Sequence, residues 1–341
     1  MKSERVVFGR VLNAGPLITI SKRALFLDQP MGFAPFLPDL ARAGPSLHLV
    51  GVIFSMETDQ HEQWGMTPDS IEALARDHIE VSRRFPDARF VILGNTEGEM
   101  AALARVGLPC MLANELIFTD EFRFGLASDA APFDIGAVYN AMFHPIKRHY
   151  LAEYIEKLAL IFKMPEPAEF DAIAAKLPRA RYVNLSGSPG AYVWRPLPHE
   201  EVVGIYARSE VGLCLSAVEG AMRVSMEYLM CGLPVVSTPS LGGRDRYFHP
   251  DYATVCDPTP TAVAEAVREA ASKPLPRAAI RQRVMVRLRA DRADFLAMVN
   301  DLIARELQAP FRFDTFEAFR HTPIHARKLR LMVSGPCDAG L

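Results

Sequence analysis

The strongest constraint on the fold lies in the second half of the chain, where short apolar, β-branched runs alternate with amphipathic stretches. Residues 135–141, 181–185, 211–216 and 235–238 read as strands, and 145–162, 198–209, 222–230, 261–272 and 277–308 as helices. This is the grammar of βαβ units, whose parallel strands are joined by crossover helices. Pro145 suits a first helical turn, where its missing N–H has no partner to lose. Gly232 followed by Pro234 stops one helix and opens the next strand. The first half is less regular: helices are expected over 68–84 and 97–106, flanking a strand at 89–94. Residues 6–12, 48–54 and 108–112 read as further strands and 38–43 as helical. At roughly 150 residues per domain, 341 residues predict two α/β domains. They are expected at 1–134 and 135–308, with an irregular aromatic segment, 309–341, packing back along the body.

Composition narrows the function. Half the residues are hydrophobic and 23% are charged, which places the chain among folded proteins. With 38 basic and 40 acidic residues the net charge is -2, which argues against a nucleic-acid partner. The cysteines include no Cys-x-x-Cys pair, so neither a zinc site nor a disulfide framework is expected, and a reducing cytoplasm fits. Gly9 and Arg10 interrupt the N-terminal apolar run, unlike a signal peptide. The apolar runs at 49–55 and 158–162 fall far short of the ~20 residues that span a bilayer. His321 and His325 have the four-residue spacing of a chelating pair, but no Glu follows His321 and Pro323 interrupts the segment, so no metal is expected.

The chemistry concentrates in residues 209–244. A strand runs into a loop bearing Glu219 and Gly220, and a helix follows. Ligands of open α/β sheets bind outside the carboxyl ends of the strands. A helix start presents free N–H groups and partial positive charge, which attract phosphate. The amides of Gly220, Ala221, Met222 and Arg223 are the candidate donors. Glu227 lies eight residues after Glu219, about 12 Å along if the segment were helical. Two carboxylates flanking N–H donors suit a nucleotide diphosphate sugar, since carboxylates accept hydrogen bonds from sugar and ribose hydroxyls. The structural alternative is that Glu219 caps the helix and Glu227 is a solvated helix position.

The block Glu219, Glu227, Cys231, Gly232, Pro234, Val235, Val236, Gly242 and Gly243 resembles the donor site of GT-B glycosyltransferases, in particular glycosyltransferase family four. Met230 stands where that family has a small residue. The resemblance covers residues 135–271. It implies two Rossmann-like domains facing a central cleft, with Glu219 holding donor-sugar hydroxyls and Glu227 the ribose. It also implies a phosphate-binding Lys, matched by Lys147, and an Arg five residues earlier, where this chain has Met142. Arg148 and Arg223 are the candidate replacements for that arginine; the alternative for Lys147 and Arg148 is an exposed basic helix start. A His-Asn pair found in some relatives is matched only by Asn114, beside Glu115 and Asp120 as candidate acceptor contacts. Residues 13–16 form a candidate glycine loop, and Trp194 and Arg195 are candidates for the nucleobase edge.

These features predict a retaining, metal-independent glycosyltransferase with no cofactor beyond its nucleotide diphosphate sugar donor. Its acceptor hydroxyl would belong to a glycan, a lipid-linked sugar or a small molecule. Met142 and the missing histidine motivate one alternative, a non-catalytic GT-B scaffold that binds nucleotide sugar or glycan; another is a nucleotide-sugar epimerase. A basic run from Lys273 to Arg292 carries one acid, Asp291. It is either a solvated helix face or a contact with anionic lipid at the inner face of the membrane.

Overall fold

The computed structural model describes residues 8–22, 44–51, 68–126, 133–186, 192–272 and 275–320. The expected helix at 38–43, the pair His321 and His325, and the tail beyond residue 320 lie outside them. The chain divides into two compact units.

In the first unit, β1 (Phe8–Ala14) and β2 (Leu17–Lys22) form an antiparallel hairpin. β3 (Ser46–Gly51), β4 (Ala88–Gly94) and β5 (Cys110–Leu112) add to it in parallel, giving the order β1-β2-β3-β4-β5. Helices α1 (Pro68–Arg84) and α2 (Glu97–Arg105) are the crossovers into β4 and β5. Thr96 starts α2 by accepting the Glu99 amide through its hydroxyl at 3.1 Å. Residues 17–20 of β2 and strands β3 and β4 are buried almost continuously, as befits a parallel sheet covered on both faces. His48 is a polar insertion in that core. Its ring nitrogens lie 2.8 Å from Thr19 Oγ1 and 2.9 Å from Ser46 Oγ, and burial lowers its pKa to about 3, so the ring is neutral and satisfied.

The second unit holds β6 (Ile135–Asn140), β7 (Leu158–Ile161), α3 (Pro167–Lys176), β8 (Arg181–Tyr182) and the small hairpin β9 (Leu185–Ser186) with β10 (Val193–Trp194). There follow α4 (His199–Arg208), β11 (Ser209–Cys214), α5 (Arg223–Met230), β12 (Val235–Ser237), β13 (Ala253–Val255) and α6 (Pro260–Ser272). The six-stranded sheet is parallel, in the order β13-β12-β11-β6-β7-β8. The chain therefore winds outward from β6 in one direction and from β11 in the other. The switch point of this doubly wound sheet lies between those two strands.

One sequence expectation needs correction. Residues 145–162 are not one helix: 3-10 turns at Pro145–Lys147 and His149–Ala152 are followed by strand β7. Arg148 and Lys157 adopt the left-handed conformation and break the helix there. Residues Thr119–Leu288 belong to the second unit, and the described residues from Arg289 to Arg320 pack with the first. Helix α7 (Arg277–Leu302) starts in one unit and ends in the other.

Within the first unit, Phe316 lies 5.8 Å from Phe118 and 5.9 Å from Phe295 between ring centroids, and Phe319 lies 5.1 Å from Phe295. The Arg292 guanidinium sits 4.8 Å from the Phe316 ring. Phe316→Ala is expected to destabilise the first unit by ~3 kcal/mol, read from its chemical denaturation midpoint. Three arginines of the basic run are engaged inside the fold. Arg277 donates to the carbonyls of Tyr206 and Ser209, Arg281 to those of Glu121, Phe124 and Met230, and Arg292 to that of Ile117. Arg283 pairs with Asp251, and Arg287 lies over the Tyr247 ring. Among the described residues no helix is long and apolar enough to cross a membrane.

Candidate functional site

At the switch point three loops meet: residues 141–147 after β6, 215–222 after β11 and 238–243 after β12. Backbone hydrogen bonds join them. The Ala217 amide donates to the Ile146 carbonyl at 3.2 Å, the Glu219 amide to Leu241 at 2.8 Å, the Leu241 amide to Ala217 at 3.0 Å and the Gly243 amide to Gly220 at 2.8 Å. Gly242 sits at φ +110, and a Cβ there would lie 2.0 Å from the Glu219 carbonyl oxygen. Only glycine lets the third loop approach the second this closely.

This framework brings Lys147 and Glu219 into direct contact. The ammonium of Lys147 pairs with Glu219 Oε1, and both side chains are largely buried. Ser216 Oγ donates to the same carboxylate oxygen at 2.8 Å. The backbone of Lys147 is fixed as well, because the buried Tyr139 hydroxyl donates to its carbonyl at 2.6 Å.

Beyond Glu219, residues 220–222 are not helical. Helix α5 begins at Arg223, with Met222 at its N-cap and no side chain capping it. The two glutamates are therefore not on one helix, and the separation of about 12 Å expected for a continuous helix does not apply. Among the described residues, no acceptor takes the amide hydrogens of Gly220, Ala221 and Met222. Three free donors thus lead into a helix start, beside a lysine.

Glu227 lies one turn after Arg223 on α5. The Tyr206 hydroxyl donates to its Oε2 at 3.1 Å, and Asn140 Nδ2 at the end of β6 donates to that hydroxyl at 2.7 Å. Burial raises the Glu227 pKa to about 7, against the opposing effects of the Tyr206 hydrogen bond and the Arg223 charge.

Two arginines hold the strand ends. Arg148 donates from Nε to the Leu215 carbonyl at 2.6 Å and from Nη2 to Thr238 Oγ1 at 2.7 Å. Arg244 is fully buried; its Nη1 reaches the carbonyls of Cys214 at 3.0 Å and Ser216 at 2.9 Å. Its Nη2 reaches Ser237 Oγ at 2.7 Å and the Thr238 carbonyl at 2.6 Å, and its Nε reaches Asp245 at 2.6 Å.

Several other candidates have local partners. Asn114 Oδ1 accepts the Leu116 amide at 3.0 Å, and Asp120 Oδ1 accepts the Phe122 amide at 2.9 Å, so both cap turns. The Glu115 amide donates to Asn95 Oδ1. Asn13 Nδ2 donates to the Pro16 carbonyl within the turn of the β1–β2 hairpin. Trp194 donates to the Phe162 carbonyl at 3.2 Å, and Arg195 pairs with Glu201 through both its Nη atoms. Met142 is 42% exposed, so the position is open but uncharged. Among the described residues, no three His, Cys, Asp or Glu side chains gather to hold a metal ion. Ser216, Tyr206, Asn140 and Arg244 are the members of this cluster that sequence reasoning did not single out.

Comparison with known proteins bears on the same region. Residues 168–294 match the family model described as glycosyl transferase-like. A search of the curated proteins gives no match. Among solved structures, the sucrose-phosphate synthase (tll1590) of Thermosynechococcus elongatus superposes with a TM-score of 0.55 at 17% identity, over 76% of this chain and 68% of that one. An alpha,alpha-trehalose-phosphate synthase (UDP-forming) from Burkholderia vietnamiensis gives 0.52 at 14% identity, over 81% and 70%. The architecture is that of the GT-B class, two Rossmann-like α/β units.

Proposed function

We propose that this protein is a GT-B glycosyltransferase that moves a sugar from a nucleotide diphosphate sugar to a hydroxyl acceptor. The observation that carries the reading is the cluster at the switch point: the Lys147–Glu219 pair beside three unpartnered amides. The glycosyl transferase-like match over residues 168–294 spans Glu219 and Glu227 and supports it. The narrower likeness to family four rests on the motif alone.

In this reading the diphosphate lies against the amides of Gly220, Ala221, Met222 and Arg223, with the Lys147 ammonium on its other side. As the bond from the sugar to the phosphate oxygen breaks, negative charge grows on the leaving diphosphate. Donors fixed in advance stabilise that charge without reorganising. Glu219 accepts hydrogen bonds from the sugar hydroxyls, and Glu227 from the two ribose hydroxyls. A lysine and a helix start supply the electrostatic stabilisation that a metal ion supplies elsewhere, and the anomeric configuration is retained.

A thermal-shift panel of sugar nucleotides tests donor binding, because a ligand that binds only the folded state raises its melting point. Glu219→Ala is expected to lower donor hydrolysis or transfer by about 10²-fold, the scale of losing one preorganised contact to the reacting group. Nucleotide binding without turnover across many acceptors would instead identify a scaffold, the reading that the uncharged Met142 position favours.

A further inference from the structure

Arg148 stands next to Lys147 in the chain, and its backbone is in the left-handed region at φ 50. That conformation crowds Cβ against the backbone in every residue but glycine. A strained residue persists where its surroundings hold it, and here the side chain does the holding. The guanidinium crosses from the β6–β7 connection to the ends of two other strands. Nε takes the Leu215 carbonyl at 2.6 Å, and Nη2 takes Thr238 Oγ1 at 2.7 Å and the Pro239 carbonyl at 3.4 Å. Leu215 immediately precedes Ser216, whose hydroxyl holds Glu219. One side chain thus touches the segment carrying the site's cation and the segment carrying its acid.

These bonds also answer a charge question. A guanidinium with Nε and Nη2 committed to carbonyl and hydroxyl oxygens of the strand ends is occupied as a fastener. Arg148 is therefore a poor substitute for a phosphate-binding arginine.

Resting on the donor-site reading above, we propose that Arg148 is a positioning residue. It acts through Lys147, setting that ammonium against Glu219 by tying the loop after β6 to the ends of β11 and β12. Without its guanidinium, Lys147 keeps its Tyr139 anchor but loses its alignment with Glu219.

Arg148→Gly is the informative variant. Glycine accepts φ 50 without strain, so the backbone is relieved while every side-chain bond is removed. The readout independent of any donor is the 13C resonance of reductively dimethylated Lys147, assigned by its loss in Lys147→Gln. In Arg148→Gly this resonance is expected to move toward its position in Glu219→Gln. With UDP-glucose, ADP-glucose and GDP-mannose as probes, kcat for donor hydrolysis is expected to fall at least about tenfold while KM changes less than about threefold, as for a misplaced catalytic group. Thr238→Val removes one acceptor without touching residue 148 and is expected to move the same resonance by less, which covers the case in which the glycine variant does not fold. A Lys147 resonance unmoved in either folded variant overturns the proposal. If the wild-type protein neither binds nor turns over any probe, the donor-site reading fails, whereas the resonance still decides whether Arg148 places Lys147.

Discussion

Replacing Arg244 by methionine is expected to destabilise the second unit by about 3–5 kcal/mol, the scale for breaking a buried charged network by removing one partner. The side chain is fully buried and makes bonds to three backbone carbonyls, the Ser237 hydroxyl and the Asp245 carboxylate. Methionine fills much of the volume but offers no donor, so the carbonyls of Cys214, Ser216 and Thr238 lose their guanidinium partner in a dry environment. Lysine is not expected to rescue. An ammonium is a point charge and cannot bridge the ends of β11 and β12 with the planar fork of a guanidinium. Urea denaturation of the second unit's transition measures the loss. Hydrogen exchange should rise in residues 214–221, because the bond from Arg244 to the Ser216 carbonyl fixes the root of the Glu219 loop. A variant as stable as the wild type would show that the carbonyls of β11 and β12 find other partners.

This network also shows where reading the sequence stops. Strands predicted at 89–94, 135–141 and 211–216 lie within two residues of β4, β6 and β11 at each end, because buried parallel strands are short apolar runs bounded by turn residues. The same rule failed at β7. Leu151, Ile155, Leu158 and Phe162 fall at helical spacing, so the periodicity of 145–162 reads as one helix. The deciding facts, left-handed backbone at Arg148 and Lys157, have no glycine to announce them. Strand β2, Leu17–Lys22, lies outside the strands that the sequence predicts, although Ile18, Thr19, Ile20 and Ser21 alternate apolar and polar residues. In the site, Glu219, Glu227 and Lys147 stand out because a linear motif contains them. Arg148 reaches Thr238 across 90 positions, and Tyr206 reaches Glu227 across 21. Such partners are set by the parallel register of β6, β11 and β12, which no local spacing encodes.

Glu227 yields the second large effect, one that depends on pH. Its pKa rises from the ordinary 4.5 to about 7 in the folded chain, chiefly through burial. An acid that is harder to ionise when folded opposes folding once the unfolded chain ionises. Below about pH 4 both states hold the proton and Glu227 makes no difference. Between the ordinary carboxylate range and about pH 7 only the unfolded state ionises, and stability falls with rising pH. Above pH 7 the full penalty, about 3 kcal/mol, is present. Glu227→Gln keeps an oxygen to accept the Tyr206 hydroxyl and cannot ionise. At pH 8 it is expected to be more stable than wild type by up to that amount, with the difference gone by pH 4. The same substitution should weaken nucleoside diphosphate binding by about tenfold or more at pH 8, since a hydrogen bond to a charged acceptor is worth about 1.5–3 kcal/mol. The ligand's terminal phosphate also titrates, at about pH 6, so the signature of Glu227 is the difference: wild-type affinity should gain more than that of the glutamine variant as pH rises through about 7. Calorimetric titration with uridine, adenosine and guanosine diphosphates at pH 6 and pH 8, run beside urea denaturation at both, tests the two halves separately. A glutamine variant that is more stable at pH 8 but binds as tightly as wild type would leave Glu227 a strained core acid with no part in holding ribose. Parallel loss of affinity and gain of stability would mean that the position is kept acidic for its ligand, against the preference of the fold.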